Sequence, residues 1–344
     1  MRLLSPIVMG GISDAPVIFI GATMEVMWGE ANDTLTPESL AAMPRSEARS
    51  RWIRLPAADR FQAPHIAAMA LERVALTGAR ETLLLTLAAK AGESRLPDSL
   101  LRDHFAAEAM ARIDYDFARL RIDRDLMIGT ALRSHILDGW TRAFLARHPD
   151  AAVLHLGCGL DSRVFRVEPA PAVAWFEVDH PEVIELRRRL YPAREGCTLI
   201  GSSVMEPCWL AGIPTGRPRL VLAEGLLPYL PAAEVPRLLD RVTAGPPSGE
   251  LAFDAYSRLG LWMIRNHPSI RATGADVHWS LGDPREIERA VPRLRLVQEL
   301  RAYDPEGYDP AQIERMSPAA RLVVPLFRLV PGLDRIGRLL RYSF

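Results

Sequence analysis

The sequence predicts an α/β protein built on a doubly wound, mostly parallel sheet, and three observations carry that expectation. A short apolar run, residues 153–156, stops at Gly157-Cys158-Gly159. That is how a buried parallel strand delivers a ligand to its carboxyl end. A second apolar run, 173–178, ends in Asp179, an acid placed about twenty residues beyond the loop, where a carboxylate can accept both hydroxyls of a ribose. Beyond it, short apolar runs and helix-length segments alternate to the end of the chain, as successive βα units do.

The elements follow in order. Through residues 1–68, Gly10-Gly11 and the prolines at 16, 37, 44, 56 and 64 interrupt every apolar run, so this stretch is expected to be a poorly ordered extension, dispensable or preceding the true start. Residues 69–150 are expected to form a helical cap. Leu84, Leu87, Ala88 and Ala91 share a face of 81–92, a second amphipathic segment runs over 101–117, and a third over 128–147 until Pro149-Asp150 stops it. The α/β core then fills 151–344. It has strands at 153–156, 173–178, 197–201, 219–223, 250–253, 293–300 and 339–344, seven in all. Helices stand at 181–190, opened by His180-Pro181, and at about 232–243. Residues 257–292 read as a helical and looped insertion, and the tail from 322 as a helix before the terminal strand.

Composition narrows the partners. At 344 residues the chain can bury one large α/β domain with additions. Its 42 Lys and Arg match 42 Asp and Glu, so no net field favours nucleic acid or an anionic membrane. Three cysteines, Cys158, Cys197 and Cys208, are an odd count without metal spacing, the usage of a reduced, cytoplasmic compartment. No apolar run reaches spanning length, and 17–22 is too short for a signal peptide.

Glycine loop plus acid specifies a nucleoside ligand. Gly157 and Gly159 let a nucleoside approach the backbone with no Cβ in the way. A dinucleotide loop wants a third glycine where this chain has Ser162, and usually carries pyrophosphate on the next helix. Asp161-Ser162-Arg163 suits a ligand without phosphate, of which S-adenosylmethionine is the common one. Ordinary turn glycines and a solvated acid are the bland alternative, opposed by the agreement of strand, loop, acid and spacing.

Read together, LGCGLDSR (156–163), WFEVDHPEV (175–183) and EGLLPYL (224–230), supported by LTGARETLL (76–84), IDYDF (113–117), SSVMEPCW (202–209) and HWSLGDP (278–284), resemble the leucine carboxyl methyltransferase family. The similarity is to its bacterial branch of tetracenomycin-type polyketide O-methyltransferases, and spans residues 69–344. The resemblance implies a class I methyltransferase fold, Rossmann-like, with S-adenosylmethionine as cofactor. It also implies roles. Gly157 corresponds to the cofactor-loop glycine, Asp179 to the ribose acid and Glu224 to the acid facing the cofactor's amino-acid end. Arg133 corresponds to the arginine that reaches the methionine carboxylate, and Lys90 to a basic residue with a similar task. Ser203 and Val204 fall where the family holds adenine, although many relatives have Asp at the position of Ser203 or of Glu206.

The residue types suit that chemistry. A carboxylate and an ammonium need one cation and one acid, and an arginine fork binds carboxylate bidentately. Asp161 either binds ligand or fixes the loop through its Asx geometry. Tyr229, five residues past Glu224, is the candidate catalytic residue, touching the transferring methyl or the acceptor oxygen; packing is its other reading. His155 reads as core, His180 as a helix cap and Arg163 as structurally paired, while Tyr256, Trp262 and Trp279 either line an acceptor pocket or pack. The expected reaction is O-methylation of a carboxylate or phenolic hydroxyl on a small, polyketide-like metabolite, with no metal. Three alternatives stay open: carboxyl methylation of a protein C-terminus, a nicotinamide-dependent oxidoreductase, and a relative that has lost its acceptor site.

Overall fold

The computed structural model describes residues 71–301, 310–330 and 332–344; the expectation for residues 1–68 lies outside them. Seven strands form one sheet: β1 (Ala152–Leu156), β2 (Ala174–Asp179), β3 (Cys197–Gly201), β4 (Arg219–Ala223), β5 (Gly249–Tyr256), β6 (Arg295–Arg301) and β7 (Gly337–Ser343). Their spatial order is β3-β2-β1-β4-β5-β7-β6. Strands β1 to β5 pair in parallel, and β7 runs antiparallel to both β5 and β6. The strand order reverses between β1 and β4, which opens the crevice where such sheets bind ligands.

Alternation with period two sends successive β1 side chains to opposite layers. Leu154 and Leu156 pack with Phe176, Val221 and Phe253 against Val235, Leu238, Leu239 and Val242 of the helix Glu234–Thr243. Val153 packs with Trp175, Leu220 and Leu222 against Leu137, Trp140 and Phe144. Both faces are covered, so every residue of β1 and β4 is buried.

The cap begins with α1 (Thr82–Glu93), whose Leu83, Leu84, Leu85 and Leu87 are buried. The second expected helix is shorter than 101–117. It is α2 (His104–Ala111), capped by the Asp103 carboxylate, which accepts from the Ala106 amide at 2.9 Å. It ends because Ile113–Asp114, poor helix formers, pair in parallel with Glu72–Arg73 instead. There the Tyr115 hydroxyl donates to the buried Glu81 at 2.6 Å. The third helix, α3 (Arg124–Arg147), starts earlier than expected on an Asp123 cap, and its second half belongs to the sheet sandwich rather than to the cap. Five-residue α4 (Arg163–Val167) was too short for its periodicity to show in the sequence, whereas α5 (Pro181–Leu190) stands where expected. The expected insertion holds α6 (Arg258–Asn266), α7 (Pro268–Thr273) and α8 (Arg285–Ala290), and the tail helix spans Pro318–Leu329.

Candidate active site

A cavity of about 200 Å³ opens at the carboxyl ends of β1, β2 and β4 beneath α1. Eight of the ten residues singled out in the sequence line it: Lys90, Arg133, Gly157, Gly159, Asp161, Asp179, Glu224 and Tyr229. Ser203 and Val204 do not. Ser203 lies past the end of β3, where its hydroxyl accepts from the Met205 amide at 3.3 Å, and Val204 is packed in the sheet core.

The glycine loop has left-handed backbone at both glycines, φ +59° at Gly157 and +49° at Gly159. A Cβ on Gly157 would also come within 2.8 Å of Leu226 Cδ1, so loop and EGLL turn are in close contact. The loop is tied to the acid of β2: the Gly159 amide donates to Asp179 Oδ2 at 2.7 Å, and the His180 amide to Oδ1 at 2.7 Å. Burial nevertheless pushes the Asp179 carboxyl above the ordinary range. Each oxygen keeps a second lone pair, so the geometry leaves room for two hydroxyl donors. His180 occupies the N-cap position of α5 and faces the cavity without capping through its side chain.

The other end of the cavity is a buried ionic cluster. Lys90 Nζ stands 3.1 Å from Asp161 Oδ2 and 3.5 Å from Glu224 Oε1. Arg133 Nε donates to Glu224 Oε1 and Nη1 to Asp254 Oδ2, both at 3.1 Å, while the Ser134 hydroxyl donates to Glu224 at 2.8 Å. Arg163 donates to Glu224 and, at 2.7 Å, to Asp138. Arg166 donates to Asp103, Asp138 and Asp161. Burial alone would raise the Glu224 carboxyl; the facing charges of Lys90, Arg163 and Arg133 outweigh it and hold it well below the ordinary range. Asp161 is held down in the same way by Arg166, Lys90 and Arg163.

Two features point this cluster at a zwitterion. Asp161 Oδ2 and Glu224 Oε1 already face one ammonium, Lys90 Nζ, at 3.1 and 3.5 Å, so this pair of cavity-lining carboxylates suits an ammonium. Arg133 commits Nε and Nη1, and among the described residues no bond uses the Nη2 facing Gly225, a donor for a carboxylate. Asp179 at the opposite end suits a ribose. The residues present therefore fit an amino-acid nucleoside.

A second cavity of about 50 Å³ shares Thr82, Thr86, Arg133, Gly225 and Tyr229 with the first and continues into apolar walls from Leu85, Leu126, Ile264 and Ile270. Tyr256 lines it, donating to Asp254 at 2.9 Å and accepting from Arg133 at 3.2 Å. Trp262 is 48% exposed and Trp279 sits in the sheet core, so neither is part of it. Burial pushes the Tyr229 hydroxyl up to about 12.

The family model for leucine carboxyl methyltransferases matches residues 83–195. The tetracenomycin polyketide synthesis O-methyltransferase TcmP of Streptomyces glaucescens is 45% identical over 274 residues, covering 79% of this chain and 99% of that protein. The chain belongs to the leucine carboxyl methyltransferase family. An S-adenosyl-L-methionine-dependent methyltransferase of Gibberella zeae, dpfgK, is 38% identical over 245 residues, 65% of this methyltransferase and 82% of its own length. Among solved structures the overlap is looser: a DUF574 family protein from Streptomyces avermitilis superposes with a TM-score of 0.47 at 14% identity, covering 74% and 96% of the two chains. This is a methyltransferase using S-adenosylmethionine, and the nicotinamide alternative is without support. No helix among the described residues is long and apolar enough to cross a membrane.

Asp254, Asp138 and Arg166 were not singled out by sequence reasoning. Asp254 alone left a signal, as an acid at the end of a strand in FDAYS, beside the end of β4 where Glu224 stands. Asp138 and Arg166 lie on helices with no motif around them, and only the fold brings them under Arg163. His155 is buried as expected for a core residue, but it also lines the cavity, with Nδ1 unpartnered.

Proposed function

We propose that this enzyme is an O-methyltransferase for a carboxylate or phenolic hydroxyl on a small, polyketide-like metabolite. The observation that supports it is the small cavity joined to the cofactor cavity across Tyr229, apolar on one side and bordered by Thr82, Thr130 and Tyr256 on the other. In this reading Asp179 holds the ribose, and Asp161 and Glu224 hold the ammonium. Arg133 and Lys90 hold the carboxylate, and Gly157 and Gly159 admit the nucleoside. Bound S-adenosylmethionine supplies a methyl group on a positively charged sulfur. The protein places the acceptor oxygen in line and keeps water out.

Tyr229 stays protonated at neutral pH, so it orients the acceptor as a donor or a wall rather than taking its proton. A carboxylate acceptor, already ionised, needs no base. Ser203 and Val204 remain the adenine-side candidates from the family resemblance, although neither lines the cavity. Methylation of a protein C-terminus is the weaker reading, because the relative that is 45% identical across nearly its whole length is a polyketide O-methyltransferase.

Incubation of the enzyme with S-adenosylmethionine and matched aromatic polyketide acids, phenols and a peptide ending in leucine, read by mass spectrometry, tests this. Methyl transfer to an aromatic acid or phenol is expected. Transfer to the peptide alone would overturn it.

A further inference from the structure

Behind the glycine loop lies a cavity of about 320 Å³ between α4, α5 and the edge strand β3. The wall between the two is polar and buried. Arg187 of α5, 2% exposed, donates through Nη1 to the carbonyls of Gly159 and Asp161, both at 2.9 Å, and through Nη2 to Glu177 of β2. It therefore holds the back of the cofactor loop while lining the rear cavity.

This wall is short of hydrogen bonds. Arg187 Nε and Glu177 Oε1 are buried without a hydrogen bond, and His155 Nδ1, which faces Glu177 Oε1 at 3.8 Å, has none either. Buried polar atoms without hydrogen bonds destabilise a fold, so a site that leaves them calls for water or a ligand. Charge selects among ligands. Arg187, Arg188 and Arg194 line the cavity against the single carboxylate of Glu177. Arg188 pairs with Glu185 at 3.5 Å and donates through Nη2 to the Leu199 carbonyl at 3.4 Å, and no carboxylate of the described residues lies within ion-pair distance of Arg194, whose Nη2 donates to the Pro169 carbonyl at 3.1 Å. Phe165 and Tyr191 add aromatic walls with ring centroids 5.9 Å apart. Guanidinium forks suit a carboxylate, and flat apolar walls suit a ring.

We propose that the rear cavity is a second small-molecule site, which takes a small aromatic carboxylate and communicates with the cofactor loop through Arg187. The communication rests on the cofactor reading above; the binding does not. An occupant whose carboxylate draws on the Arg187 guanidinium competes with the Gly159 and Asp161 carbonyls and with Glu177 for its donors, so it changes cofactor affinity, and the cofactor changes its affinity by the same factor.

The probe is 2-naphthoate, titrated by calorimetry into the full-length enzyme saturated with S-adenosylhomocysteine, with 2-naphthalenemethanol as the uncharged control. Saturable binding of naphthoate, weakened at least tenfold in the Arg188→Ala/Arg194→Ala double variant and absent for the alcohol, is expected. Both arginines are at the surface end of the cavity, so the variant should fold, and its melting temperature checks that. A several-fold shift in S-adenosylhomocysteine affinity with saturating naphthoate, lost in the same variant, is the second expected result. Equal naphthoate binding in the double variant, or none in the wild type, overturns the site. Naphthoate binding without any shift overturns the communication. Failure of S-adenosylhomocysteine to bind at all would count against the cofactor reading instead.

Discussion

The Gly159 amide lies 2.7 Å from Asp179 Oδ2, so the cofactor loop of β1 is held by the acid that ends β2. One carboxylate thus positions the loop and faces the cavity. Asp179→Ala removes the loop's acceptor and, in the proposed reading, the ribose's. Loss of a buried charged acceptor predicts about 2 kcal/mol weaker S-adenosylmethionine binding, or roughly thirtyfold in dissociation constant. Calorimetry measures it, and an unchanged constant would remove Asp179 from the site.

The ionic cluster and Tyr229 should separate in kinetics. Arg133→Lys keeps the charge but loses the fork that spans Glu224 and Asp254. Glu224→Gln leaves Lys90, Arg133 and Arg163 facing a neutral amide. Breaking a buried pair costs about 3–5 kcal/mol, so both variants should lose cofactor affinity and stability together. Tyr229→Phe keeps the ring and should lower kcat while leaving the cofactor's dissociation constant alone. If turnover of every accepted substrate is intact in Tyr229→Phe, the hydroxyl has no part in the reaction and the ring is packing.

Gly157→Ala tests the close approach of loop and EGLL turn. Left-handed backbone costs a non-glycine residue about 1–2 kcal/mol. The added methyl also meets the Leu226 side chain at 2.8 Å. Because that neighbour is the end of a flexible side chain, the expected result is a folded protein with a lower melting temperature and weaker cofactor binding. Calorimetric and thermal scans together read it. Full cofactor affinity in the variant would mean that a Cβ is tolerated where the nucleoside is expected.

What could be read from the chain, and what could not, divides along physical lines. Strand β1, its loop and Asp179 were legible because one short run of sequence carries the apolar period, the glycines and the acid. Helix α1 was legible from its apolar face. The ionic cluster was only half legible. Lys90, Arg133 and Glu224 came through resemblance, while Asp138, Arg166 and Asp254 are held in place by partners that are distant in sequence. The end of α2 was hidden because the pairing of Ile113–Asp114 with Glu72–Arg73 is a tertiary event that overrides local helix periodicity. Arg187 was hidden for the same reason: in ELRRRL it reads as one surface arginine among three, and only the fold turns it beneath the glycine loop.

Acid sensitivity should reach the wall of the second cavity through His267. This residue opens α7, the helix that carries Ile270 to that wall, and its Nδ1 accepts from the Ser269 amide at 3.2 Å. The imidazole must therefore be neutral with its proton on Nε2. Burial pushes its pKa down to about 4, from an ordinary value of about 6.5. The unfolded chain thus takes up a proton that the folded one refuses between those values. The contribution of His267 to stability is full above about 6.5 and is lost as pH falls through the window to about 4. A gap of that size is worth at most about 3 kcal/mol. His267→Asn retains a side-chain acceptor for the Ser269 amide and does not titrate. The difference in unfolding free energy between variant and wild type, followed by denaturant titration from pH 7.5 to 4.5, should move steadily in favour of the variant as pH falls. A flat difference curve would place the His267 proton uptake outside this window and leave the acid sensitivity to the carboxylate cluster.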